Sequence, residues 1–400
     1  MKYILGVLII LFATYSDIFL YRINIVPVTP TEFLIPLFIV LFVLKYPIKT
    51  IFENLKSHSF KFFVCVLLLS IIFSAVSKAN SESVSTSIGL DIITIILYVF
   101  TLHYFRTEDK KTVLLVMVTS FFVLAGSVWY DFLIGLPTDN LILAQSVRKG
   151  GFGENPNQAA SGMKFLALGV LAFLVNVKTK RFVFIGIMFF SVFITFSRSG
   201  IITAVLILIF GTMNNWSSTF QINMEKLIKS FFRMIVLFVL LYFALLLVAG
   251  VIKENFPAFT RGAAGERIDL LLGQSDKSVI AEDTGSKGGR GDLFLKYLND
   301  FMDNPFGYGT AYSDDKKFNS LNTHNHYLYM AINYGIVGLF IYLVFIFYGI
   351  NFSFKMNRFY PFMFYSLFIF EGFIAHNVFT ERSILISLAF FDSLIYRKLD

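Results

Sequence analysis

Cysteine is almost absent from this sequence: Cys65 is the only one in 400 residues, so no disulfide can close within the chain. Charge is scarce as well. Asp, Glu, Lys and Arg together make up 15% of the residues, against about a quarter in soluble domains. There is too little charge to cover a solvated globule of this size, which argues against a soluble protein. No internal repeat, heptad or low-complexity block occurs, so solenoids and coiled coils are set aside. No HxxxH pair or clustered carboxylate set occurs either, and neither a catalytic metal nor a cofactor is expected. What is abundant is apolar: 56% of the residues are hydrophobic and fifty are Phe. A net charge of +8 would suggest nucleic acid in a soluble protein. In a membrane chain Lys and Arg instead set orientation, and no nucleic-acid partner is expected.

Hydropathy and breakers predict an all-α polytopic membrane protein with about twelve spanning helices, each long enough to cross ~30 Å of hydrocarbon. They fall near 3–20, 30–46, 61–78, 86–105, 112–134, 158–177, 182–197, 199–214, 229–252, 326–350, 358–377 and 382–397. Met1-Lys2 before an apolar run resembles a leader, but Phe12-Ala13-Thr14-Tyr15-Ser16 is a poor cleavage site, and an uncleaved first helix is expected. Three divisions follow: residues 1–252 with the first nine spans, a large external loop at 253–325, and residues 326–400 with the last three.

The basic residues fix an orientation. With the N-terminus cytoplasmic, the inside connectors carry Lys45, Lys49, Lys56, Arg106, Lys110, Lys111, Lys180, Arg181, Lys226, Lys355, Arg397 and Lys398. The short outside connectors hold little beyond Arg22, Lys78, Arg148, Lys149, Arg198 and Arg382. That asymmetry obeys the positive-inside rule, returns the C-terminus to the cytoplasm and puts the 253–325 loop outside. Within the loop, Glu266–Gly273 and Asp292–Asn304 have helical spacing. In the second, Leu293, Phe294, Tyr297, Leu298 and Phe301 share a face, Asp292 is the expected cap and Pro305 the stop.

The polar clusters gather on the outside face: Gly150–Gln158 with Arg148 and Lys149 before it, Thr195–Gly200, Gly288–Asp292, Thr323–His326 and His376–Arg382. Arg198, between two apolar helices, either snorkels to lipid phosphate or offers a guanidinium fork to a substrate phosphate. Arg290, among glycines at a helix start, is either a solvated loop residue or an anion ligand beside free backbone N–H groups. His324 either caps a helix start or, as a neutral imidazole, takes a proton from a hydroxyl. His326 is two residues on and faces elsewhere, which disfavours a metal pair. Asp91, Lys164 and Glu371 are ionisable groups within spans: proton-relay candidates in a transporter, polar bundle contacts otherwise.

The order TFSRSG, then GGRGDLFLKYLNDFMDNPFGYGT, then THNHYLYMAINYGIVGLF resembles the O-antigen polymerase/ligase family over roughly residues 150–385. The matching positions are Arg198, Arg290, Pro305-Phe306-Gly307-Tyr308-Gly309, His324-Asn325 and Gly335-Ile336-Val337-Gly338, with Asn155-Pro156-Asn157 upstream. Where many relatives have an acidic residue before Gly335, this chain has Asn333-Tyr334.

The resemblance implies a glycosyltransferase of GT-C-like architecture in the bacterial inner membrane, with its site on the periplasmic face. It implies a polymerase joining undecaprenyl-diphosphate-linked repeat units without metal, by inverting transfer. Arg198 and Arg290 would bind the diphosphate, His324 would activate the acceptor hydroxyl, and Arg148, Lys149, Asn155, Asn157, Asn325, His326 and Arg382 are possible substrate contacts. Membrane lipid, a chain-length regulator and a flippase are the implied partners. The spacing from His324 to Gly338 looks more like the polymerase branch. A ligase acting on lipid A-core is the alternative, and a polyprenyl-glycan flippase is the alternative of another class, although no paired broken helices are evident.

Overall fold

The apolar runs become helices wherever a Ser, Asn or Asp stands ready to cap them. In the computed structural model Ser57 accepts a hydrogen bond from Phe60 N (3.2 Å), Asn80 from Ser83 N (2.7 Å), Asp109 from Thr112 N (2.9 Å) and Asn155 from Gln158 N (2.9 Å). Ser197 accepts from Gly200 N (3.1 Å) and Asn325 from Leu328 N (3.1 Å). Each such cap contributes about 1 kcal/mol. The structure describes residues 1–136, 150–153, 155–174, 177–195, 197–213, 219–220, 290–319, 321–376 and 378–396, with isolated positions between 224 and 243. Among these no strand occurs.

The helices are α1 (Lys2–Thr14), α2 (Ser16–Arg22), α3 (Pro30–Lys45), α4 (Ile48–Ile51, continued by a 3₁₀ turn Phe52–Lys56), α5 (His58–Ser74), α6 (Ser81–Thr107) and α7 (Lys110–Leu133). They continue with α8 (Pro156–Leu171), α9 (Lys178–Ile194), α10 (Arg198–Met213), α11 (Arg290–Asp303), α12 (His326–Lys355), α13 (Phe359–Gly372) and α14 (Arg382–Tyr396). By length and composition α6, α7 and α12 can each cross a membrane. The pairs α1–α2, bent by 65°, and α3 with Ile48–Lys56, bent by 110°, raise three spans to five if each pair is one span. Shorter helices of 14 to 17 residues stand at six more of the expected positions. The expected helix at 229–252 lies almost wholly outside the described residues, as does the one at Glu266–Gly273. The described residues are thus helical with membrane-spanning character, and among them three to five of about twelve expected crossings meet the length criterion.

Several boundaries differ from expectation. Hydropathy starts the fourth span at residue 86, but α6 begins at Ser81, because its polar first turn is capped by Asn80 and needs no apolar face. The loop helix α11 begins at Arg290, so Asp292 lies in its first turn instead of capping it. Leu293 and Tyr297 are buried on that helix, whereas Phe294 is turned outward.

Two compact units form, residues 1–9, 34–116 and 286–400 in one and residues 10–33 and 117–285 in the other. In the first, α5 and α12 run in opposite directions. The start of α5 is held where Asp392 of α14 accepts hydrogen bonds from Ser59 Oγ (2.6 Å), Tyr98 OH (2.6 Å) and Tyr365 OH (2.8 Å). That knot joins α5, α6, α13 and α14 through one buried carboxylate, which hydropathy conceals within an apolar run. Nearer the other end, Asp91 is bonded to Ser70, whose hydroxyl lies 2.8 Å from Tyr334 OH.

At that second end α12 is broken. Gly335 has φ 64° and ψ −160°, so the helix is two pieces, 326–334 and 336–355. The later piece, at about 1.5 Å per residue, is itself about 30 Å long and sufficient to cross hydrocarbon. A break orphans backbone groups, each costing several kcal/mol where water is excluded. Here the segment 305–309 takes them up: Tyr308 N donates to Ile332 O (2.8 Å), Gly309 N to Asn333 O (3.1 Å), and Ile336 N to Pro305 O (2.9 Å). The same segment is fastened on its other side, with Lys78 N bonded to Tyr308 O (3.2 Å) and Thr310 Oγ1 to Ser70 O (2.7 Å).

Two neighbouring carboxylates beyond this strap are pushed in opposite directions. Backbone N–H groups of Asn80 and Lys317 hold Asp315 below the usual carboxylate range. Burial pushes Asp314 up to about 6. A folded-state value above the unfolded 3.8 means that stability is greatest below pH 4, falls as pH rises to about 6 and is level beyond. Asp314→Asn should remove that slope and stabilise the protein at pH 7 by roughly 1–2 kcal/mol, after allowance for partial exposure. Thermal unfolding in detergent between pH 4 and 8 checks this; parallel curves for the two proteins would exclude it.

Candidate functional site

The polar cluster at the head of α12 is assembled from the capping turn. Thr323 Oγ1 donates to Asn325 O (3.0 Å), Asn325 caps the helix, and His324 is held between them at φ 46°. For a residue with a β-carbon this left-handed conformation costs about 1 kcal/mol and persists only where its surroundings impose it. His324 is half-buried, whereas His326 and Asn325 are buried. His326 Nδ1 is 2.8 Å from the carbonyl of His376, so its ring fastens the α13–α14 turn to α12. Both residues are therefore structural ties of this turn, with His324 left as the partly accessible member.

Opposite His324 stands His376, with ring centroids 6.0 Å apart in an edge-to-face arrangement. Asn322 Nδ2 lies 2.9 Å from His376 Nε2. Burial, with His324 adding to it, pushes the His376 imidazole down to about 4, so it is neutral at pH 7. Arg382, the first residue of α14, closes the same turn and is half-buried. The sequence marks His376 only weakly, but a signal existed. The chain has five His, and three of them meet here.

The loop helix α11 packs on the first piece of α12 through Leu293, Tyr297, Leu328 and Ile332. Its later turns are tied at Asp300 O to Tyr308 OH (3.0 Å), while Tyr297 OH reaches back to Leu321 O (2.5 Å) and Lys296 Nζ to Asn319 Oδ1 (2.8 Å). These ties set the N-terminal end of α11, which Arg290 begins, toward the 321–326 turn. The start of a helix carries free N–H groups and about half a positive charge, which suits an anion.

In the second unit the starts of α8 and α10 are joined. Ser197 Oγ donates to Asn157 Oδ1 (2.8 Å) and lies 3.3 Å from Ser199 Oγ, so the TFSRSG turn is bonded to the NPN turn capped by Asn155. Arg198 is the first residue of α10. A turn deeper, buried Lys164 of α8 is bonded to Thr203 of α10. The Gly150–Gly153 loop before α8 is anchored to α7, with Gly151 N on Asp131 Oδ2 (3.2 Å) and Phe152 N on Ser127 Oγ (3.0 Å). Arg148 and Lys149 lie outside the described residues.

Chemically, the first unit offers a partly accessible imidazole, a neutral second imidazole and a helix start with an Arg. The second offers two joined helix starts with an Arg. Such groups can bind an anionic leaving group and accept a proton from a hydroxyl. Among the described residues no three His, Cys, Asp or Glu side chains stand together as a metal site.

Residues 183–343 match the model of a family described as O-antigen ligase. Arg198, Arg290, the 305–309 segment, His324-Asn325 and Gly335–Gly338 fall inside that stretch, whereas Asn155, Asn157, His376 and Arg382 fall outside. No curated protein matches the chain.

Proposed function

Taking the O-antigen ligase family match at 183–343 as premise, we propose that this protein is a polysaccharide polymerase that joins undecaprenyl-diphosphate-linked repeat units. It works on the periplasmic face of the bacterial inner membrane, with both termini cytoplasmic. His324 accepts the proton of the acceptor hydroxyl as that oxygen attacks the anomeric carbon of the donor. The bond to the donor diphosphate breaks, and the configuration inverts. Charge developing on the leaving diphosphate is stabilised by Arg198 and Arg290, whose guanidinium forks match phosphate oxygens and need no proton transfer. Arg148, Lys149, Asn155 and Asn157 extend the donor side. A chain-length regulator and a flippase are its implied partners in the cell.

The observation that carries the reading is His324, held half-buried at the head of α12 where α11 and the His376 turn converge. The test is reconstitution of the purified protein with a synthetic undecaprenyl-diphosphate repeat unit. Product chains should grow without added divalent cation. Arg198→Ala and Arg290→Ala should each lower turnover by about 10²–10³-fold, the usual effect of removing one group that stabilises developing charge. Wild-type ladders from both variants would overturn the assignment. The family's description favours a second reading, transfer of a finished glycan to lipid A-core. Deletion separates the two: surface lipopolysaccharide with a single repeat marks a polymerase, and bare core marks a ligase.

A further inference from the structure

The break in α12 separates the piece that carries the His324 turn from the piece long enough to cross the membrane. The 326–334 piece is therefore positioned from two sides: Ile332 O and Asn333 O accept from the 305–309 strap, and His326 and Tyr327 pack on Tyr342 of the later piece. Asn333 is the most heavily tied residue at that junction. Its carbonyl accepts Gly309 N (3.1 Å), its Oδ1 accepts Ser313 N (3.0 Å), and its Nδ2 donates to Ser313 Oγ (3.0 Å). It is fully buried, so neither side-chain bond competes with water. The strap that it grips is bound in turn to α11 through Tyr308 OH to Asp300 O (3.0 Å), and Asn304, just past that helix, donates its Nδ2 to Gly307 O (2.7 Å).

We propose that Asn333 is a positioning residue for glycosyl transfer: by gripping Ser313 and Gly309 it sets the tilt of the 326–334 piece, and so the place of His324, against the α11 helix that Arg290 begins. This rests on the reading that His324 and Arg290 serve one transfer. The leverage is large. The start of the helix at His326, next to the His324 turn, lies about 13.5 Å from Gly335, so a tilt of about 5° at the break moves it by about 1.2 Å. A displacement of about 1 Å can cost 10²-fold in rate. No part of Asn333 needs to touch substrate for this effect.

The test uses the full chain in proteoliposomes with a synthetic undecaprenyl-diphosphate repeat unit, and compares wild type, Asn333→Ala, Ser313→Ala and His324→Ala. Asn333→Ala should lower kcat by about 10–100-fold while the donor KM stays within about threefold. Amide exchange should quicken in 305–313 and 326–334 but not in 340–355. Ser313→Ala, which deletes one of the two side-chain bonds, should move the same readouts less, and it decides the matter if Asn333→Ala does not fold. If His324→Ala is inactive while the folded Asn333 or Ser313 variant keeps wild-type kcat, the positioning role is overturned and the functional reading stands. If His324→Ala turns over normally, the functional reading falls and the proposal falls with it.

Discussion

His324→Ala should abolish most transfer, lowering turnover by about 10²–10⁴-fold, the range expected for loss of a positioned general base. Donor binding should change little, because the diphosphate is assigned to other residues. The geometry takes the capping role away from this residue: Asn325, and not His324, caps α12, and His324 precedes it at φ 46°. A residue held in a disfavoured conformation beside a neutral second imidazole supports the proposed role. The measurement is single-turnover chain extension together with equilibrium binding of the donor. A variant that extends chains at the wild-type rate would remove His324 from the reaction. His376→Phe is a useful companion, because it keeps a ring beside His324 but removes the polar contact with Asn322.

Much of this arrangement was legible in the sequence, and the exceptions have physical reasons. Helices stand at most of the expected positions because long apolar runs leave the backbone no partner but itself. The cap expected at Asp292 was misplaced, because the helix begins two residues earlier at Arg290 and takes Asp292 into its first turn. Hydropathy could not see the polar first turn of α6, nor the knot at Asp392, because a single carboxylate barely alters the average of an apolar window. The break at Gly335 was hidden for a different reason. Gly335 lies inside an apolar run that reads as one span, 326–350, and only the arrival of 305–309, some thirty residues earlier in the chain, supplies the hydrogen bonds that make a break tolerable. The Gly307 and Gly309 spacing carried half of that information. Neither Gly335 nor that pair explains itself without the other.

Gly335→Ala should be among the most damaging single changes available, destabilising by about 3–5 kcal/mol, in the range reserved for backbone strain combined with overpacking. Two effects act together. At φ 64° with an extended ψ a β-carbon is strained wherever it points, and here it would stand 2.5 Å from the carbonyl carbon of Phe306. Phe306 cannot withdraw, because its neighbours Pro305 and Gly307 are bonded or packed against the same break. Relaxing into continuous helix is no escape, since it would release Tyr308 N and Gly309 N from their acceptors and expel the strap. Gly89→Ala, inside α6 with nothing within 4 Å of the new atom, serves as the control. Helix propensity alone should make that change neutral or stabilising by up to about 1 kcal/mol. Thermal unfolding and limited proteolysis in detergent separate the two: Gly335→Ala should unfold many degrees lower and expose the 305–325 segment to cleavage, whereas Gly89→Ala should match wild type. Equal midpoints for all three proteins would show that the strap does not depend on the break, and His324 would then have to be held by Asn325 and His326 alone.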